Sequence, residues 1–304
     1  MAAKNIVIIF VALSLAPVAC GTPLHVHFVN YATGRAYEER QSKWVASALV
    51  PGRCQTAHGW SRSELLKDPL FFEARQVMVR ALGTNADYRS GYFAWKPFII
   101  LRELEHAKNG AWVLYSDVVR PGYSDKFIKD SVLPLVQHVS NFSRRDDFVG
   151  APGVFLDYQN SYSQPWFKKQ WPNNNMLVRN TSDLPRILKL AGLQPEQLAV
   201  ERAYHLQASW SLWRKSEASM QLVREWFNLT ISPDSSLTAN SDQTWLTLLA
   251  VKYAIPALWS RSFGLPQRGG HVDPNELKTI NTALSALSSG QRPTFISPHG
   301  KTLW

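Results

Sequence analysis

Between Gly91 and Val119 the chain constrains its own fold more tightly than anywhere else. The stretch begins Gly91-Tyr92-Phe93-Ala94-Trp95-Lys96-Pro97 and continues through Ile99, Ile100, Leu101 and Leu104 to Asn109-Gly110. Pro97 suits the first turn of a helix, where its missing N–H costs nothing. The four apolar residues then face a core, and Gly110 supplies a residue at positive φ to stop the helix. Ala111–Val119 follows as a strand, because Trp112 to Tyr115 is continuously apolar or aromatic and so calls for cover on both faces. Asp117 interrupts that strand near its C-terminal end. In open α/β sheets ligands gather at the carboxyl ends of strands. A carboxylate buried there without a cation or hydrogen bonds costs several kcal/mol.

The flanking sequence alternates in the same way. Leu24–Tyr31 alternates and is rich in β-formers, so it is the expected first strand. Gly34–Leu49 carries helical spacing, and Ser63–Leu82 reads as one longer helix with Ser63 as its N-cap. Further helices are expected over Ser124–Ser140, Asp183–Ala191, Ser216–Leu229 and Ser241–Tyr253. Further strands are expected over Phe148–Leu156, Leu206–Trp213 and Ala257–Phe263. Asp157–Asn180 has little periodicity and reads as a long surface loop near the site. No repeat or linker divides the chain. The expectation is a single α/β domain over residues 22–263, a mixed, mostly parallel central sheet flanked by helices, with a C-terminal tail over 264–304.

The first 21 residues have another character. Lys4, an apolar run from Ile6 to about Val18, and small residues at Ala19-Cys20-Gly21 give the layout of a signal peptide or signal anchor. Cleavage is expected between Ala19 and Pro23. Sequons at Asn141-Phe142-Ser143, Asn180-Thr181-Ser182 and Asn228-Leu229-Thr230 agree with a secretory lumen or the cell exterior. Lys and Arg number 33 against 23 Asp and Glu, a net charge of +10. Such a surplus favours anionic partners. The cations are scattered and the chain carries an export signal, which argues against nucleic acid. Cys20 and Cys54 are too few for a disulfide scaffold. Gly-x-Ser-x-Gly, His-Glu-x-x-His, the P-loop and Gly-x-Gly-x-x-Gly are all missing from the sequence.

Gly91, Tyr92, Trp95, Lys96 and Pro97, followed by Tyr115, Ser116 and Asp117, resemble a group of GT-A fold glycosyltransferases. In that group a Trp-Lys-Pro helix runs into a strand ending Tyr-x-Asp-x-(Gly/Asp). Two later stretches match in order. Gln207 to Ser216 resembles the family's strand ending in an Arg-Lys turn, and Ser241-Asp242-Gln243 resembles its Asp-Gln helix. The resemblance covers roughly residues 24–263. It implies the GT-A fold and transfer of a sugar from a nucleotide-diphosphate donor to a hydroxyl of a glycan or glycoconjugate. It also implies a divalent cation, manganese or magnesium, at Asp117. On this likeness Asn30 and Tyr31 lie near the nucleotide base. Arg89 and Lys96 neutralise the diphosphate, with Tyr92 and Trp95 beside them. Gln207, Asp242 and Gln243 surround the donor sugar or the acceptor as catalytic candidates. A membrane enters only through a possible N-terminal anchor.

The chain departs from the family at Val118-Val119, where Gly or a second Asp is usual. Three readings follow. Asp117 works with a distant ligand such as His271, Asp273 or His299. Basic residues such as Lys96, Arg89, Lys168-Lys169 or Arg214-Lys215 replace the metal. Or transfer is lost, leaving a sugar- or nucleotide-binding relative. A secreted basic glycan-binding protein is a further alternative, resting on charge and on 12 tryptophans. Each residue also has a plainer reading. Trp95 and Tyr92 are ordinary packing residues, Lys96 a solvated cation, Asp117 a structural carboxylate, Asp242 a helix-dipole partner and Gln243 a core amide. His25 and His27 are ordinary sheet residues.

Overall fold

The computed structural model describes residues 25–83, 93–118, 154–158, 178, 181–194, 206–238, 241–253 and 257–259. Their centre is a six-stranded sheet. Its strands are β1 (Val26–Ala32), β2 (Thr56–Ser61), β3 (Trp112–Ser116), β4 (Val154–Tyr158), β5 (Leu206–Arg214) and β6 (Ala257–Trp259), in the order β2-β1-β3-β5-β4-β6. β1 pairs in parallel with β2 and β3, and β4 pairs in parallel with β6. Only β5 runs against its neighbours, β3 and β4. The fold is α/β with a mixed, mostly parallel sheet flanked by helices, as the alternation of strand and helix patterns requires.

The helices are α1 (Arg35–Ala48), α2 (Arg62–Lys67), α3 (Pro69–Leu82), α4 (Trp95–His106), α5 (Leu184–Ala191), α6 (Glu217–Thr230) and α7 (Ser241–Lys252). α1 covers one face of β1, where Phe28 stacks on Trp44 with ring centroids 6.0 Å apart. Alternate residues point the other way. Val29, Tyr31, Val113, Tyr115 and Trp213 join α4, α6 and α7 in one apolar core. Trp112 to Tyr115 is buried throughout, as its composition demands. Trp213 stacks on Trp226 of α6 at 5.9 Å, and Phe98 of α4 meets Phe227 of α6 at 5.7 Å.

The expected helix Ser63–Leu82 is a correction. Its N-cap is Ser61, not Ser63. The Ser61 hydroxyl accepts from the Glu64 N–H, and Glu64 accepts from the Ser61 N–H in return, closing a capping box. The helix then breaks at Asp68, where Pro69 disfavours the α conformation of the residue before it. Asp68 has ψ 120° and caps α3 through the N–H groups of Leu70 and Phe71. The same carboxylate takes a bidentate bond from Arg102 of α4, at 3.0 and 2.9 Å. That clamp ties α3 to the helix that carries Lys96. Strand β2 has no signal in the sequence. Its Thr-Ala-His-Gly-Trp-Ser sequence has no clean alternation, and pairing with β1 rather than local pattern makes it a strand.

The expected helix Ser124–Ser140, residues 148–153 of the strand expected over Phe148–Leu156, and the tail over 264–304 lie outside the described residues. Asp157 and Tyr158, expected to open the long loop, instead complete β4. Among the described residues no helix is long and apolar enough to cross a membrane.

Candidate functional site

Three segments far apart in sequence meet at the carboxyl end of β3. Lys96 is the second residue of α4, Asp117 follows β3 directly, and Asp242 is the second residue of α7. Lys96 Nζ lies 2.8 Å from Asp242 Oδ2 and 3.3 Å from Asp117 Oδ2. It also donates to the carbonyl oxygen of Ala208 in β5 at 3.2 Å. The Tyr115 hydroxyl donates to Asp117 Oδ1. Asp242 Oδ2 has no hydrogen-bond donor of suitable angle, so its contact with Lys96 is an ion contact. The Asp242 backbone is fixed by Trp226, whose indole N–H donates to its carbonyl at 3.0 Å.

Burial separates the three charges. The side chains of Lys96 and Asp242 are 7% and 2% exposed, while that of Asp117 is 31% exposed. Asp117 is thus the charged group of the trio that faces solvent. Burial would lower the Lys96 pKa, but the two carboxylates beside it outweigh that and hold it above its ordinary value. Asp117 moves up. It is packed closely enough that desolvation is the larger effect, and the charge of Asp242 adds to it, against the opposing pull of Lys96 and Tyr115. Burial, and then the neighbouring Asp117, raise the Tyr115 phenol well above its usual value, so it stays a proton donor.

An aromatic wall borders this cluster. Trp95 lies 4.5 Å from Tyr31 and 6.0 Å from Tyr115, ring to ring. Lys96 Nζ sits 5.3 Å from the Phe93 ring and 5.5 Å from the Trp95 ring. Phe93 has φ 67°, the left-handed region that a bulky residue seldom adopts. Its carbonyl still accepts from the Lys96 N–H at 3.0 Å, so this strained turn opens α4. A cation in a first helical turn opposes the helix dipole. Here the two aspartates supply the compensation.

The other residues singled out in the sequence are placed as follows. Tyr31 is buried against Trp95. Asn30 lies on the opposite face of β1, fully buried beneath α1. Its Oδ1 accepts from Gln41 Nε2 at 3.1 Å, and its Nδ2 has no hydrogen-bond partner among the described residues. Gln207 pairs with Asp157 across β5 and β4. Gln243 is half-buried beside Asp242 on α7, and its carbonyl accepts from Thr247 Oγ1 at 2.7 Å. Arg89, Tyr92, Val119, Lys168, Lys169, His271, Asp273 and His299 lie outside the described residues. Tyr115 is the site residue whose contact with Asp117 the sequence did not flag. Its position two before the acid carried the signal, since residues i and i+2 share a face of a strand.

Among the described residues no group of three or more His, Cys, Asp or Glu could hold a metal ion by itself. Asp117 offers one hard oxygen ligand in a cluster where one cation faces two carboxylates. Mg²⁺-like ions are often bound by one or two carboxylates together with substrate phosphates, so this donor set fits such an ion only in that shared manner. In comparisons with known proteins, no family model, no curated protein and no solved structure matches this chain.

Proposed function

We propose that the chain is a GT-A type glycosyltransferase, moving a sugar from a nucleotide-diphosphate donor to a hydroxyl of a glycan or glycoconjugate. The observation that carries this reading is the meeting of Lys96, Asp117 and Asp242 at 2.8 and 3.3 Å. Each comes from one of the stretches that resemble the family, and they converge at a strand's carboxyl end. The N-terminal segment and the sequons support a place in the secretory lumen or outside the cell.

Transfer breaks the bond between the anomeric carbon and the diphosphate oxygen. It forms a bond from that carbon to the acceptor oxygen. The electron pair leaves with the diphosphate, and the acceptor's proton passes to a base or to the leaving group. Asp117 faces the donor's ribose or a divalent cation. Such a cation, if bound, offsets the charge that builds on the departing diphosphate. Tyr31 and Trp95 provide an apolar wall beside the donor, and Arg89 contributes positive charge. Gln207 and Gln243 remain the candidates for the sugar and acceptor side, and Asp242, buried beneath Lys96, serves that side by holding the ammonium in place.

The test is nucleotide release from a panel of nucleotide sugars with Mn²⁺. Asp117→Asn is expected to lower turnover at least about 100-fold, as loss of a charge acting in the transition state does, while circular dichroism stays unchanged. Wild-type turnover in that variant removes Asp117 from the site. The reading fails if no nucleoside diphosphate binds at millimolar concentration, with or without metal.

A second reading has an observation of its own. Val118, next to Asp117, is buried, and Asp242 is closed off beneath Lys96. A relative that binds the donor without transferring it fits that arrangement. Saturable donor binding with no turnover across many acceptors would mark it.

A further inference from the structure

We infer that Lys96 and Tyr115 are positioning residues that hold the open edge of Asp117 toward the donor, and that Lys96 makes no contact with the diphosphate itself. This rests on the transferase reading and deepens it.

An ammonium has three N–H donors. Around Lys96 Nζ there are three oxygen partners: Asp242 Oδ2 at 2.8 Å, Ala208 O at 3.2 Å and Asp117 Oδ2 at 3.3 Å. The rings of Phe93 and Trp95 occupy further space around it, at 5.3 and 5.5 Å. These oxygens and the two rings enclose Nζ, and with the side chain only 7% exposed a phosphate has little approach to it. Asp117 is held at both ends. Oδ1 takes the Tyr115 hydroxyl and Oδ2 takes Lys96. Each carboxylate oxygen has a second lone pair, and the 31% of the side chain that is open is what remains for a ligand. Two anchors from different elements stop the carboxylate from rotating. Tyr115 is itself fixed in the core beside Trp95. The cluster therefore delivers one acceptor edge in one orientation before any ligand arrives.

A double-mutant cycle on the full-length chain tests this, with Kd measured by calorimetry for UDP, GDP, ADP and CDP in the presence of Mn²⁺. Tyr115→Phe keeps every charge in place and removes one hydrogen bond. It is expected to weaken binding of the preferred diphosphate on the order of tenfold, the usual cost of losing a group that orients a ligand. In an Asp117→Asn background the same change is expected to cost less than about twofold, because a residue that acts only through Asp117 has nothing left to aim. Lys96→Met is expected to show the same dependence on Asp117. Equal losses in both backgrounds for Lys96→Met would mean that Lys96 touches the phosphates, and would overturn the inference while leaving the transferase reading intact. An unchanged Kd for folded Tyr115→Phe, with only a lower melting temperature, would also overturn it. If Lys96→Met does not fold, the Tyr115→Phe cycle decides alone. No binding of any of the four diphosphates by the wild type would overturn both readings together.

Discussion

Lys96 shows how much one buried side chain can govern. Removing a single partner from a buried ion cluster leaves uncompensated charge behind. Lys96→Met should therefore destabilise the protein by about 3–5 kcal/mol, read from urea or thermal unfolding. Replacing Asp117 by Asn should cost far less, because Asp117 keeps solvent contact. His58 offers a pH-dependent counterpart away from the site. Its Nδ1 lies 2.7 Å from Glu103 Oε1 and its Nε2 3.4 Å from Glu64 Oε1. The hydrogen bond with Glu103 leads the effects that raise its pKa above the ordinary 6.5, against the opposing effect of burial. A raised histidine pKa contributes stability that is complete below the unfolded value and is lost as pH rises through the folded one. The difference in urea midpoint between wild type and His58→Gln should accordingly shrink between about pH 6 and about pH 8. A constant difference across that range would show that charge on His58 contributes nothing.

At the scale of elements, helix starts decide where the site residues stand. Ser216 caps α6 and Ser61 caps α2, each through a reciprocal pair of bonds, and both N-terminal signals are written locally. Pro97 in the first turn of α4 and Gly110 at φ 78° beyond its end were likewise legible, and α4 spans Trp95–His106 much as they imply. The break at Asp68-Pro69 was written there too, but the long apolar periodicity of 63–82 masked it. Strand β2 was not legible, because Gly59 and His58 interrupt any alternation. Gly59 has a tertiary reason. A Cβ there would sit 2.8 Å from Gln41 Cδ, and Gln41 bridges Asn30 Oδ1 and the Trp60 carbonyl, both at 3.1 Å. Gly59→Ala should displace that amide and destabilise by about 1–3 kcal/mol, with the shift visible in the Gln41 side-chain amide resonances. An unperturbed amide would show that the α1–β2 contact yields easily.

Across the whole molecule, one antiparallel strand organises the ligand end. β5 runs against β3, so the start of β5 lies beside the end of β3, and Ala208 can present its carbonyl to Lys96. A strand running the other way would have placed the Arg214-Lys215 end there instead. The interior closes over Cys54 as well. It is buried, and desolvation pushes its thiol up to about 12. In a Cys20→Ser protein, labelling of Cys54 by a thiol reagent near neutral pH should be negligible in the native state and rapid in denaturant. Fast native labelling would mean that the α1–β2 loop opens readily.

Periodicity, caps and apolar runs depend on neighbours along the chain. For that reason the sequence by itself determined that this protein alternates strands and helices, where most of them lie, and that an acid ends the central strand. Which charges meet depends on strand order and direction, which only long-range pairing sets. The tertiary structure alone decided that Lys96 faces two aspartates instead of solvent, that Tyr115 holds Asp117, and that Asn30 turns away toward α1. An ammonium, a carboxylate and a phenol carry no local mark of their partners. Their roles are fixed by what the fold brings within about 3 Å, the reach of a hydrogen bond.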